Sequence, residues 1–239
     1  MKVNEEFDKR VSEINVYFEI LFAVECEKPK LTAYDINQGD PIEVTFNSQK
    51  IQILRANAFL LMYNLIESTI YNSILTIFDS ITDNNIKYAD MIAEVQRYWL
   101  NNLYKHDEKK RKDTIIDSFM GIANQILNNT ITLASNEISY GGSLDARTIF
   151  ETAKSMKIKT ANVERIYDKN VHGNNLREVK QNRNWLAHGE KSFSEVGKDV
   201  SYESLDTSKT NIISFLEEFI KSVEDYIHNE EYRVKVVPD

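Results

Sequence analysis

The chain has 239 residues, of which 42% are hydrophobic and 28% charged, with 7 Gly, 3 Pro and a single Cys. That length buries a real core, but the scarcity of Gly and Pro excludes a β-sandwich or barrel, which needs turn residues about every 8–12 positions, and disfavours a Gly-rich phosphate loop. The net charge of −8, from 29 basic and 37 acidic residues, argues against a protein that coats nucleic acid by bulk electrostatics.

The lone Cys26 cannot form an internal disulfide and fits a reducing compartment. The opening MKVNEEFDKR lacks the apolar run of a secretion signal. The longest apolar stretch, Ala56 to Ile81, is interrupted by Asn57, Asn64, Glu67, Asn72 and Asp79, so no membrane segment is expected. The reading is a cytoplasmic chain, in which the sequon at Asn128-Asn129-Thr130 is a chance match.

In chain order, Phe7, Val11, Ile14, Phe18 and Leu21 recur at spacings of three and four, predicting a helix over 4–27 with one buried stripe. Residues 28–47 hold Pro29, Gly39 and Pro41 around two β-prone runs, and read as an irregular or hairpin insertion. Asn47-Ser48 caps a helix over 48–80 that is apolar nearly all round and therefore central; Asp83-Asn84-Asn85 breaks it. A third helix is expected over 86–105, a solvated connection over His106–Asp113, and a fourth helix over 112–129. Turns follow around Ser135-Asn136 and Tyr140-Gly141-Gly142. Ser143 then precedes a helix from Leu144 to Met156, with Asp145 in its positive first turn. A short helix over 161–169 leads to one from Asn174 to His188, with Gly189 as its C′ residue, and a last helix covers 204–231. The expected architecture is an all-α helical bundle in a single domain over 1–239. Residues 1–47 would form an N-terminal helix and insertion, 48–231 the core, and 232–239 a tail.

Charge is uneven along the chain. Between Arg147 and Lys198 eleven basic residues accompany six acidic ones, a local balance of +5 that leaves −13 elsewhere. Such a region suits a focused anion site, although Lys-rich helix faces are also ordinary solvated surface. Within it lies Arg183-Asn184-Trp185-Leu186-Ala187-His188-Gly189. On a helix, Arg183 and His188 stand about 140° apart. Asn184 and His188 share a face, and Trp185 and Leu186 point to the other side as core anchors. A guanidinium binds phosphate through two N–H groups, and an imidazole moves protons near neutral pH, a pair suited to RNA cleavage without metal. On spacing alone, a terminal His is more often a partner of helix-end carbonyls. Asp225 and His228 share a helix face but lack a third ligand, so they read as a surface pair, not a metal site. His106 and His172 read as residues of a charged connection and a turn. Glu67 sits either beside the Arg/His site or on the bundle rim.

The motif Arg183-Asn184-x-x-x-His188 resembles the R-x(4–6)-H signature of HEPN domains, with the polar residue usual after the Arg. The following stretch from His188 to Gly197 resembles the MAE-type HEPN-like nuclease branch, as do Gly142 to Ile149 and Leu61 to Thr69; the likeness spans about residues 50–225. The resemblance implies a helical-bundle endoribonuclease that acts as a homodimer, its two motifs meeting in one composite site without metal or other cofactor. It makes Arg183 and His188 catalytic, with Asn184 orienting a catalytic side chain or the phosphate. The RNA would then be held by the basic patch, with Arg147, Lys180, Lys191 and Lys198 as contacts. Such proteins are commonly toxins of toxin–antitoxin pairs or antiviral-defence effectors, which makes a cognate antitoxin an implied partner. The alternative is a non-catalytic HEPN-type module that binds RNA, nucleotide or a partner protein.

Overall fold

The computed structural model describes residues 1–26, 30–34, 41–107, 112–128, 131–133, 138 and 144–235. Among these residues it is an all-α bundle of nine α-helices with one small β-hairpin. The order is α1 (Lys2–Cys26), β1 (Lys30–Tyr34), β2 (Pro41–Thr45), α2 (Ser48–Asp83), α3 (Ala93–Asp107), α4 (Lys112–Leu127), α5 (Ala146–Ser155), α6 (Ala161–Ile166), α7 (Asn174–His188), α8 (Phe193–Lys198) and α9 (Tyr202–His228). The strands pair antiparallel with Leu31 opposite Val44, so the insertion is a hairpin. The turns expected at Ser135-Asn136 and Tyr140-Gly141-Gly142, with Ser143, lie outside the described residues.

The chain forms two compact units, one of residues 1–7, 67–168 and 215–239, the other of residues 8–66 and 169–214. The second unit buries Ile14, Phe18 and Leu21 of α1, Phe59 and Met62 of α2, Leu176 and Val179 of α7, and Leu205 and Ile212 of α9. The α1 stripe is thus the one its three- and four-residue spacing predicts, except that Val11 is only half-buried. Arg55 pairs with Glu25 through two N–H groups, and the Tyr202 N–H donates to the same carboxylate at 3.4 Å. That single carboxylate joins α1, α2 and the start of α9. The contact of α8 with α2 is backbone-close. A Cβ built on Gly197 would lie 1.9 Å from the Gln52 carbonyl oxygen and 2.6 Å from its carbon.

In the first unit the C-terminal half of α2 buries Ile70, Ile74, Ile77, Phe78 and Ile81, and α9 buries Phe215, Phe219 and Val223. The fully buried Trp99 of α3 donates its indole N–H to the Thr132 carbonyl at 2.7 Å. Tyr226 donates its hydroxyl to the Met156 carbonyl at 2.7 Å, and burial raises its pKa.

Three of the helix starts and ends that differ from the periodicity reading have a clear local reason. Residues 86–92 do not begin α3: after a 3-10 turn at Tyr88–Asp90 the chain is extended at Met91, which bridges Arg233. The Ile92 N–H bonds the Tyr232 carbonyl at 2.9 Å and the Val234 N–H bonds that of Asp90 at 2.8 Å, so this backbone is spent on a pairing. Asp145 lies outside α5 as its N-cap, accepting the Thr148 N–H at 3.0 Å, so the helix begins two residues later than Leu144. The short helix stops at Ile166, and Lys169–Gly173 wind as a π turn that includes His172.

The two described glycines inside α-helices should respond oppositely to alanine. Gly197→Ala must push α8 off the Gln52 backbone and should cost about 1–3 kcal/mol. Gly121→Ala in α4, where an added Cβ meets nothing within 4 Å, should stabilise by about 0.5–1 kcal/mol. Urea unfolding midpoints of both variants against the parent chain check the two signs.

Candidate active site

Helix α7 forms because Leu176, Val179 and Asn182 recur every third residue and are all buried. Its first turn is tied to α9 by side-chain amide hydrogen bonds: Asn175 donates to the Ser208 hydroxyl at 2.9 Å, and Asn211 donates to the Asn175 side-chain oxygen Oδ1 at 3.0 Å. Its last turn ends at His188 because Gly189 takes a left-handed backbone, φ 69° and ψ 19°. The Gly189 N–H bonds the Leu186 carbonyl at 3.4 Å and the Glu190 N–H bonds that of Trp185 at 2.9 Å. Gly189 is therefore the C′ residue its sequence position indicates.

Arg183, one and a half turns before that end, is fixed on two sides. Its guanidinium carbon lies 4.4 Å from the centroid of the buried Tyr63 ring of α2, a cation–π contact. Its Nη1 donates to the Asn184 side-chain oxygen at 3.1 Å. Asn184 thus orients Arg183. Of the five N–H donors of a guanidinium, one goes to Asn184, while the ring contact engages the face and not the edge. The edge remains suited to bidentate contact with a phosphate. His188 lies five residues on, about 7.5 Å further along the helix axis, and is exposed. The arrangement puts an oriented guanidinium and an exposed imidazole on one helix.

Beyond Gly189 the chain folds back. The Lys191 ammonium sits 3.3 Å from the centroid of the Trp185 ring, which is half-buried, as is Leu186. This corrects the expectation that both anchor α7 in the core. The buried stripe is Leu176, Val179 and Asn182, and the turn at Gly189 brings a lysine onto the indole instead. Helix α8, which periodicity does not reveal, starts with a capping box. The Ser192 N–H and hydroxyl both donate to the Glu195 carboxylate at 2.7 Å, and the Glu195 N–H donates to the Ser192 oxygen at 3.3 Å. Those bonds hold the Glu195 carboxyl below its ordinary range. The Ser192-x-x-Glu195 spacing is the signal that announces it. Tyr63, the other residue not anticipated, lies within the stretch Leu61 to Thr69, but only tertiary structure brings it to Arg183.

The remaining basic residues are dispersed. Lys180 is half-buried on α7 and Lys198 is exposed in the last turn of α8. Arg147 belongs to the other unit, where it is exposed and pairs with Glu151 at 2.8 Å. Asp225 accepts an amide N–H from Asn162 at 3.0 Å. Among the described residues no group of three or more His, Cys, Asp or Glu is arranged to hold a metal, and no helix is long and apolar enough to cross a membrane.

The end of α7 rests on backbone freedom alone, since an added Cβ at Gly189 meets nothing within 4 Å. Gly189→Ala should therefore cost about 1 kcal/mol from the left-handed backbone, with no steric term. Thermal unfolding of the variant measures it, and a loss several times larger would show that side-chain crowding also matters there.

No curated protein and no solved structure matches this chain. A family model, described as HEPN_MAE_28990/-like HEPN, matches residues 1–232 and so takes in every helix from α1 to α9. Because the match covers nearly the whole length, the chain belongs to the HEPN_MAE_28990/-like HEPN family, a nuclease-like or RNA-related class of helical module.

Proposed function

We propose that the protein is a metal-independent endoribonuclease that works as a homodimer, with the α7 motifs of two copies forming one composite site. The observation that carries this reading is Arg183, held on the Tyr63 ring and by the Asn184 amide, on the helix that ends in the exposed His188. In the reaction the ribose 2′-oxygen attacks the adjacent phosphorus, forming the O2′–P bond as the P–O5′ bond breaks. One His188 takes the 2′-hydroxyl proton, and the His188 of the second copy gives a proton to the departing 5′-oxygen. Arg183 binds the non-bridging oxygens and offsets the charge that builds on them. The products carry a 2′,3′-cyclic phosphate and a 5′-hydroxyl. Lys180, Lys191, Lys198 and Arg147 would hold flanking phosphates. In the cell the activity would serve as a toxin or antiviral-defence effector, restrained by a cognate antitoxin protein.

Cleavage of total cellular RNA by the purified protein tests this directly. His188→Ala should lower the rate by about 10²-fold or more, the usual range for losing a general acid or base. Arg183→Ala should do likewise, and Arg183→Lys should recover little, because an ammonium lacks the planar fork. Asn184→Ala should cost less, since it orients the guanidinium without replacing it. Growth arrest on induction should vanish in His188→Ala. Cleavage that survives both the His188 and Arg183 substitutions, or that a chelator abolishes, refutes the mechanism. Absence of cleavage and of toxicity in the parent chain favours the binding-module alternative.

A further inference from the structure

In the unit that lacks α7, Phe150 and Lys154 of α5, Tyr167 just after α6, and the connecting residues Lys157, Ile158 and Lys159 line a cavity of about 780 Å³. Its floor is aromatic. Phe150 and Tyr167 meet edge to face at 5.1 Å, and both rest on the fully buried Phe215 at 6.1 and 6.0 Å. Its rim is cationic. Lys154 stands one turn after Phe150, on the same face of α5, and makes no ion pair among the described residues. Lys159 holds Glu231 at 2.5 Å, and the Glu164 carboxylate accepts the Thr160 hydroxyl at 2.7 Å.

Lys157 is the informative residue. It ends α5 with a left-handed backbone, φ 61°. Its N–H bonds the Lys154 carbonyl at 3.0 Å, and the Ile158 N–H bonds that of Ala153 at 2.9 Å, the bonding pattern that glycine normally completes. A side chain there costs about 1 kcal/mol. The nearest carboxylate does not account for that cost. Glu94 lies 3.6 Å away with both side chains well exposed, at 68% and 41%, and such contacts contribute little. A strained lysine that faces a cavity, beside a second lysine without a carboxylate, points to an anion that completes the site. Aromatic rings and two lysines lining one cavity suit a planar ring that carries the anion.

We propose that this cavity binds one nucleotide unit of single-stranded RNA, its base on the Phe150–Tyr167 floor and its phosphate between Lys154 and Lys157. The assignment of the strand as RNA rests on the ribonuclease reading; the cavity itself recognises a nucleotide. A free mononucleotide has the same chemistry, so the test includes both sources.

Binding is measured by fluorescence anisotropy on the full chain carrying His188→Ala, with a labelled twelve-nucleotide oligoadenylate as probe and AMP as competitor. Adding Lys154→Gln and Lys157→Gly together should weaken binding at least about fivefold at low salt. It should also flatten the salt dependence by roughly 0.7 for each phosphate that is no longer engaged. Lys157→Gly alone should weaken binding while leaving the melting temperature equal or higher, because it relieves the strained backbone. Competition by AMP that the lysine substitutions abolish would make a free nucleotide the ligand; no competition supports the RNA strand. Oligoadenylate affinity that both variants retain overturns the site, as does a parent chain that binds neither probe. The two readings fail separately. Cleavage that still depends on Arg183 and His188, with unchanged binding in the lysine variants, removes only this site. Cleavage that survives both His188→Ala and Arg183→Ala removes only the ribonuclease mechanism.

Discussion

The left-handed backbone at Gly189 is the constraint on which the candidate site depends. An α-helix leaves its last four carbonyls without internal partners, and a C′ residue at φ 69° turns the following N–H groups back onto two of them. That reversal stops α7 at His188, leaving the imidazole exposed at the terminus. It also directs the next residues of the chain. Glu190 bonds back to the Trp185 carbonyl, Lys191 swings over the Trp185 ring, and Ser192 is placed to cap α8 with Glu195. Helix α8 then reaches the first turns of α2 through Gly197, where no side chain would fit. Two glycines, one for conformation and one for space, therefore fix the segment that extends from His188 to α2.

On the same helix, Arg183 shows how the site avoids the usual cost of ordering a long cation. A guanidinium free in solvent loses about 2 kcal/mol of rotamer entropy when fixed. Here the Tyr63 face and the Asn184 amide fix it before any ligand arrives, with cation–π attraction worth roughly 0.5–2 kcal/mol, depending on desolvation. Both partners are neutral. A carboxylate in their place would hold the arginine more strongly and would also repel a phosphate. Arg183 is thus held in place without being neutralised, because the residue after it is an amide and the residue beneath it an aromatic ring.

The helices are legible in the sequence wherever local chemistry dictates structure. The α1 stripe, the all-round apolar run of α2, the break at Asp83-Asn84-Asn85 and the stop at Gly189 all come from spacing and turn residues, and Asn85 indeed takes φ 53°. Periodicity misleads where a distant segment decides. Met91 and Ile92 look helical by spacing, but Met91 pairs in a bridge with Arg233 and the Ile92 N–H bonds the Tyr232 carbonyl, some 140 residues away. Trp185 looks like a core anchor until the reversal at Gly189 supplies a lysine for its face. Helix α8 is six residues long, too short to show a period, so only its capping box reveals it. The Arg183 motif is readable as residue types at a spacing. Its partner Tyr63, 120 positions earlier, is not, because only tertiary packing brings the two together.

The charge of the chain takes a different meaning once partners are known. The basic stretch from Arg147 to Lys198 divides between the two units, and its two parts are treated differently. In the unit of α5 and α6, Arg147, Lys159 and Arg165 each face a carboxylate, Glu151, Glu231 and Glu218 respectively, while Lys157 meets Glu94 only across an exposed 3.6 Å contact and Lys154 makes no ion pair among the described residues. In the unit of α7 and α8, Arg183 and Lys191 lie on the rings of Tyr63 and Trp185. A ring quadrupole attracts a cation without cancelling its net charge, so the potential these two project toward a phosphate survives, whereas an ion pair largely extinguishes it beyond a Debye length. Counting lysines and arginines therefore overstates the basic character at Arg147, Lys159 and Arg165, but not at Arg183 and Lys191. In a chain of net charge −8, it is the aromatic rings beneath Arg183 and Lys191, more than the number of cations, that leave positive charge uncancelled at this end of α7.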